Sequence, residues 1–487
     1  MLWTLLSLLA IPVVYYVYIE LKAYFRVMRY KKQGVKHVEY LTLPAFMSKI
    51  GKSAKMDDML ASVKKEMNEQ DPNQPFKVMN FGSTCYLTLI SEKAIKDFYA
   101  QETQVSIKKS PFDKVKFMGF LFENGKEVQE KRAIFSKIFH YSNVLNLMPA
   151  IRNVVKHHVR KLKQRAEAEG GQVKIDLKKE FSRNLLDDIS GCVLMRGAEN
   201  KMTEKFEGMN ITQIIQKYSK LLNTSLRNPL KLIPFASALG LLKEEKEMRR
   251  LKKALIEIVR KEYNKRYNQQ YQSLYDKSVL DIMVKLNKES EKETGQPKFS
   301  IEEITSNFEL FQAAASDTSF HYSCSTITFL ALPENQKYQK RIQEQVETKL
   351  GTSDSYSNDE LNSLKELDNV FREAGRLANP ATGISRDVIK DFKVDGYTVY
   401  KGDNVVNLTI NYEAEHFKDP FKFNPDRFNA DSPDFKRAPK LKQTPFSHGQ
   451  RSCLGKYLGE MMVKLIVVEL LKEFEATVEP GYEVKFG

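Results

Sequence analysis

The sequence predicts a mainly α-helical fold with a minor β part, built as one large domain behind an apolar N-terminal segment. Three observations predict it. From about residue 125 to 350, apolar residues recur at helical spacing between charged ones. Short β-rich runs stand at 75–98, before a helix, and again at 391–412. Residues 2–19 carry no charge at all.

That uncharged opening is just long enough to span a bilayer core as a helix. Trp3, Tyr15, Tyr16 and Tyr18 suit the interfaces, and Lys22, Arg26, Arg29, Lys31 and Lys32 follow at once. A cleaved signal peptide would carry its positive residues before the apolar run, not after it. The expectation is a transmembrane anchor over 1–21, a single domain over 22–487, and a cytosolic C-terminal side.

Next come strand-like runs beginning at Phe76 and Cys85. Met248, Leu251, Leu255, Ile258 and Val259 fix a helix over 243–268. Residues 286–299 and 351–359 read as polar surface loops. Ser300-Ile-Glu-Glu303 is a capping box opening a helix that runs to Pro333. Two apolar runs, 115–122 and 230–242, stand apart from this pattern; the second reads equally as core or as a segment dipping into lipid.

The chain has 487 residues, yet no Gly/Ser linker or repeat marks an internal boundary. Its formal charge of +15 suits an anionic membrane surface or an acidic protein partner. No nucleic-acid-binding module is recognisable, so a nucleic-acid partner is not expected. Cys85, Cys192, Cys324 and Cys453 lie far apart, with no C-x-x-C pair. That argues against a zinc site and a disulfide framework, and for a reducing compartment.

The densest motif is Phe446-Ser-His-Gly449-Gln-Arg451-Ser-Cys453-Leu-Gly455, just before an apolar helix. A thiolate there would be held by free N–H groups and the positive end of the helix dipole. Gly449 and Gly455 would let backbone lie close to a flat cofactor, and Arg451 would reach an acidic group on it. One axial sulfur ligand to haem iron needs these features. The plainer alternative is a structural cysteine where a loop joins a helix. Inside the helix from Ser300, Asp317 and Thr318 stand in a small-residue stretch, where a hydroxyl can bond back to the i−4 carbonyl. Glu373 and Arg376 share one helix face, which alone suggests an ordinary ion pair.

Taken in order, these segments resemble the haem-thiolate monooxygenases of the cytochrome P-450 family, of the membrane-anchored microsomal type. The cysteine loop matches Phe-x-x-Gly-x-Arg-x-Cys-x-Gly at every specified position. The resemblance implies that Cys453 is the protein ligand to the iron of haem b (iron protoporphyrin IX), with Phe446, Gly449, Arg451 and Gly455 around it. It implies that Thr318 and Asp317 serve oxygen binding and proton relay, with Ala315 where the family usually has Gly. Glu373, Arg376 and Arg427 correspond to a buried structural network. Arg132 and Arg386 correspond to haem-propionate arginines, with Val128 in place of the usual Trp.

The implied activity inserts one oxygen atom from O2 into a lipophilic small-molecule substrate. Electrons would come from an NADPH-dependent flavoprotein reductase. The implied location is the endoplasmic reticulum membrane, single-pass, with the catalytic domain facing the cytosol. Two alternatives stand beside this: a haem-thiolate isomerase or dehydratase acting on a peroxide, and a non-catalytic haem protein that binds a lipophilic ligand. Retention of Asp317-Thr318 disfavours both.

Overall fold

A computed structural model describes residues 2–42, 44–45, 74–108, 119–181, 185, 189, 193, 206–209, 211–226, 242–268, 278–351, 353, 355–408, 416–438, 440–442 and 445–484. Cys192 and most of the apolar runs at 115–122 and 230–242 lie outside these residues, as do the side chains of 1–12.

The first helix, α1 (Leu2–Lys32), runs 31 residues without a break and ends on Arg29, Lys31 and Lys32. The transmembrane span expected over 1–21 is not supported: among the described residues no helix is long and apolar enough to cross a membrane. The final third of α1 is instead part of the packed fold. Ala23, Val27 and Tyr30 are buried there. Arg26 Nη1 donates to the Ser83 carbonyl at 3.0 Å and pairs with Asp403 at 3.3 Å. The Tyr30 hydroxyl donates to the second Asp403 oxygen at 2.7 Å.

The β part comprises β1 (Val38–Glu39), β2 (Phe76–Phe81), β3 (Thr84–Leu89), β4 (Ser106–Ile107), β5 (Gly383–Val388), β6 (Phe392–Val394), β7 (Tyr397–Val399) and β8 (Asn404–Leu408). Six of these form one sheet in the order β1-β2-β3-β8-β5-β4, and β6-β7 is a separate hairpin. Strand β3 pairs parallel with β8, and β8 antiparallel with β5, so the sheet joins two distant parts of the chain. Alternation in β3 turns Cys85, Leu87 and Leu89 into a small core shared with α1 and α2 (Glu92–Val105). Strands β6 to β8 fall within 391–412, as the sequence pattern predicts. Strand β5 escaped it, because its Arg386 and Asp387 break the apolar alternation.

The larger core is helical. It is built by α3 (Lys126–Ile138), α4 (Tyr141–Ala168), α5 (Leu177–Glu180), α6 (Ile211–Leu226), α7 (Lys243–Asn268), α8 (Val279–Thr294), α9 (Ile301–Ala331), α10 (Gln336–Leu350), α11 (Asn358–Asn362), α12 (Lys365–Ala378) and α14 (Lys456–Glu473), while the short α13 (Pro433–Arg437) stands outside it. Helix α9 is central and packs on α6, α7, α12 and α14. Its expected capping box is present: Ser300 Oγ accepts from Glu303 N at 3.2 Å, and Glu303 accepts from Ser300 N at 3.0 Å. Helix α7 spans the residues its periodicity predicts.

Two expected loops need correction. Most of 286–299 is helix α8, which stops at Gly295 with φ +75°. Its Lys and Glu residues favour helix even without an apolar stripe. Asn287 is buried and exchanges hydrogen bonds with the Phe299 backbone at 2.8 and 2.9 Å, which shortens the true loop to a clasp. The 351–359 loop ends at Ser357, which caps the short α11 by accepting from Glu360 N at 3.2 Å.

Candidate active site

The cysteine loop lies between α12, α2 and the start of α14. Cys453 N donates to the Phe446 carbonyl at 3.0 Å, and Ser452 N donates to the Gly449 carbonyl at 3.2 Å. Two residues take left-handed backbone, Ser447 at φ +62° and Gly449 at φ +72°. The first is not glycine, and neighbours hold it. Ser447 Oγ lies 3.1 Å from the Tyr99 hydroxyl, which also accepts from Asn407 Nδ2 at 3.0 Å. The His448 ring contacts the Leu441 carbonyl at 2.7 Å. Phe446 stacks on Phe371 of α12, and Phe371 stacks on Tyr322 of α9 with centroids 4.5 Å apart. That column ties the loop to the central helix.

The two loop glycines do different work. A Cβ at Gly455 would meet nothing within 4 Å, so its α-carbon faces open space, as close approach of a cofactor requires. A Cβ at Gly449 would sit 2.8 Å from the Tyr99 ring and 3.1 Å from Glu102 Oε2. The missing side chain at Gly449 therefore makes room for α2.

Cys453 is exposed at its surface, yet enough protein surrounds it that desolvation pushes its thiol up. The Gly455 backbone, Arg132 and Lys456 oppose that shift. Arg132 Nη2 donates to the Ser452 carbonyl, next to the cysteine, at 2.6 Å. Arg451 donates to the Glu123 carbonyl, and to Asn124 Oδ1 at 3.2 Å. Arg386 Nε donates to Glu102 Oε1 at 2.7 Å, with both side chains buried. These three arginines lie within electrostatic reach of one another.

A fourth cation, Lys108, joins them, and no sequence motif marks it. It follows β4 and is half-buried. Burial, then Arg386, Arg451 and Arg132, push its ammonium down to about 7. Asn124 fixes its backbone, with Lys108 N donating to Oδ1 at 2.9 Å and Nδ2 donating to the Lys108 carbonyl at 3.0 Å. Asn124, just before the α3 N-cap, thus positions both Lys108 and Arg451.

On α9, Ala314, Asp317 and Thr318 are exposed, while Ser316 and Ser319 beside them are buried. Thr318 Oγ1 donates to the Ala314 carbonyl at 2.6 Å, the back-bond its position predicts. Burial raises the Asp317 carboxyl, and His321 one turn on pulls it down. Behind the loop, Glu373 accepts from Arg376 Nε and Nη2 at 2.8 Å each, from Arg427 Nε at 3.0 Å and from Asn424 N at 2.9 Å. Arg427 also pairs with Asp434, and the Phe417 ring lies against both guanidiniums. The sequence pattern gave no sign of Asp434 or Phe417 as members. Val128, where the family usually has Trp, is buried in the helical core.

With this geometry in place, the chain was compared with known proteins. The family model for Cytochrome P-450 matches residues 42–486. A sterol 14alpha-demethylase of Mycolicibacterium vanbaalenii is 27% identical over 223 residues, covering 45% of this chain and 48% of that protein. Cytochrome P-450 CYP72A219 of Panax ginseng is 24% identical over 428 residues, covering 83% of this chain and 78% of that one. Other curated relatives are matched over less than two thirds of their length, as with 31% of cytochrome P-450 2F2 from Mus musculus. Among solved structures, retinoic acid bound cyanobacterial CYP120A1 superposes with a TM-score of 0.66 at 19% identity, over 84% of this chain and 86% of that one. It shows the same fold. The family match spans most of the chain and includes the cysteine loop, so the chain belongs to the cytochrome P-450 family, which binds haem b through a cysteine thiolate and whose members are haem monooxygenases.

Proposed function

We propose that the protein is a membrane-associated haem-thiolate monooxygenase that oxidises a lipophilic substrate with electrons from an NADPH-dependent flavoprotein reductase. One observation carries this reading: Lys108, Arg132, Arg386 and Arg451 converge beside Cys453 around a single buried carboxylate. Four like charges at close range are costly with only one anion among them. The two propionates of haem b match that need, and the open face at Gly455 matches its flat ring.

Cys453 would then ligate the haem iron through its sulfur, and the four cations would hold the propionates. When bound, the haem supplies oxygen activation, with electron density donated by the thiolate. Phe446 stacks on Phe371 and fixes the loop that carries the sulfur. The exposure of Asp317 beside buried neighbours supports a role in passing protons along α9. Thr318 keeps its hydroxyl oriented through Ala314. The Glu373 network braces α12 against the segment before the loop.

The lipophilic substrate class rests on the family and on relatives whose names include a sterol demethylase and a retinoic-acid-bound protein. The reductase reading rests on the absence of any flavin or nicotinamide motif in the sequence and on the charge of +15. Placement at the endoplasmic reticulum membrane, cytosol-facing, rests on α1. There Val13, Val14, Tyr15, Val17, Tyr18, Leu21, Tyr24 and Phe25 are exposed ahead of the basic end.

The test is the absorbance of the reduced, carbon-monoxide-bound protein. Wild type should give the spectrum of a thiolate-ligated haem, and Cys453→Ser should lose it. Retention of that spectrum in the serine variant would remove Cys453 as the ligand. Turnover with NADPH, reductase and O2 then separates the monooxygenase from a peroxide isomerase and from a non-catalytic carrier.

A further inference from the structure

Glu102 belongs to no part of the cysteine motif, yet it sits at the centre of the cation cluster. It lies in the last turn of α2, 2% exposed. Its Oε1 accepts from Arg386 Nε at 2.7 Å. Its Oε2 is buried and has no hydrogen-bond partner among the described residues. That oxygen faces the thiolate loop, since a Cβ at Gly449 would lie 3.1 Å from it. Its charge is felt by Lys108, Arg132 and Arg451 as well.

A buried carboxylate is costly, and one with an idle oxygen is costlier. A shorter polar residue would release Arg386 Nε, leaving the guanidinium held, among the described residues, only through Nη1, which donates to the Ser385 carbonyl at 2.9 Å. Keeping Glu102 does two things. It holds the Arg386 guanidinium by Nε, which sets the direction of the remaining N–H groups. It also subtracts one unit of positive charge from a site that would otherwise hold Lys108, Arg132, Arg386 and Arg451 alone.

We propose that Glu102 is a positioning residue of the haem site, which aims Arg386 at the propionates and restrains the positive field felt by the iron. This rests on the haem-thiolate reading above. A fixed negative charge in a low-dielectric surround disfavours the reduced iron. Removing it makes the iron easier to reduce, and removing Arg386 does the opposite.

The experiment is a spectroelectrochemical titration of purified holoprotein, read as the midpoint potential. Wild type is first shown to have a thiolate-ligated haem by its reduced, carbon-monoxide-bound spectrum. If that fails, the haem-thiolate reading fails, and the potentials are not needed to decide it. Glu102→Gln keeps the size and an acceptor for Arg386 but removes the charge, so its potential should shift positive. Arg386→Gln should shift negative, and the double variant should return towards wild type. An unchanged potential in Glu102→Gln, or two shifts of the same sign that add, would overturn the proposal. Should Glu102→Gln hold too little haem to titrate, Glu102→Asp decides the matter. It keeps the charge, so its potential should stay at the wild-type value while haemin binds the apoprotein more weakly. A shifted potential in Glu102→Asp would show that packing, not charge, is what the residue supplies.

Discussion

Lys108 is the residue whose ionisation responds most directly to an anion in the site. Its ammonium is pushed down to about 7, below the ordinary lysine value, by burial and three arginines. Folded protein therefore carries that charge below about pH 7 and loses it above. Two propionates would favour the charged form, so haem binding takes up a proton. We expect haemin affinity for the apoprotein to fall several-fold from pH 6 to pH 8.5, and Lys108→Arg to flatten that slope. Fluorescence-quench titrations across this range would check it. Thr318 makes a different prediction. Its hydroxyl is engaged by the Ala314 carbonyl of its own helix, so Thr318→Ala should leave the substrate-induced spectral shift intact. Product formed per NADPH consumed should drop to a minor fraction, with peroxide making up the difference. Unchanged coupling would mean that this helix does not carry the proton relay. The sequence offers Cys453, Arg132, Arg386, Arg451, Asp317 and Thr318 as candidates, because fixed motif offsets carry that signal. It could not name Lys108, Glu102 or Asp434. Glu102 meets the site through Arg386, far away in the chain, while Lys108 and Asp434 have nearer partners in Asn124 and Arg427, and a lone charged residue has no local pattern to betray it.

Elements were legible where local physics dominates. The capping box at Ser300 and the apolar stripe of α7 fix their helices without outside help. The error at 286–299 arose because α8 has good helix formers but few apolar residues in its second half, and periodicity does not register that. Strand β5 was invisible because its ladder partners, β8 and β4, supply what its own sequence lacks. The grip of α2 on the cysteine loop is likewise an element-level fact. Tyr99 and Glu102, three residues apart on one helix face, close on Gly449 together. Gly449→Ala would strain a left-handed backbone by about 1–2 kcal/mol and drive the new methyl into the Tyr99 ring. The result should be a lower haem content per polypeptide and a lower unfolding midpoint, both measurable on one preparation. Gly455→Ala meets no such neighbour, so its apoprotein should unfold within about 1 kcal/mol of wild type.

At the scale of the whole molecule, α1 joins two kinds of environment. Its outer part exposes apolar side chains, and its inner part is locked to the sheet. Deleting residues 1–21 should leave a folded, haem-binding protein with weaker partition onto anionic vesicles. Deleting residues 1–32 should be far worse, because it strips Tyr30 and Arg26 from the buried Asp403. An uncompensated buried charge of this kind costs about 3–5 kcal/mol. Thermal unfolding of the two truncated proteins, compared with full length, distinguishes these outcomes.

The Asp403 contact has a mechanical side. The helix ahead of Glu20, whose carboxylate accepts from the Tyr40 hydroxyl, is about 18 residues, or ~27 Å, of rigid rod with one clamped end. A slack of ~10° at the clamp would swing the far tip by ~5 Å. Arg26 and Tyr30 grasp the two oxygens of one carboxylate from successive turns of the rod, and two grips resist rotation where one would act as a pivot. Whatever surface receives the tip of α1, the tilt and height of the catalytic body above it are set at this joint. Asp403→Asn should therefore alter the angle at which the body rides on a supported bilayer.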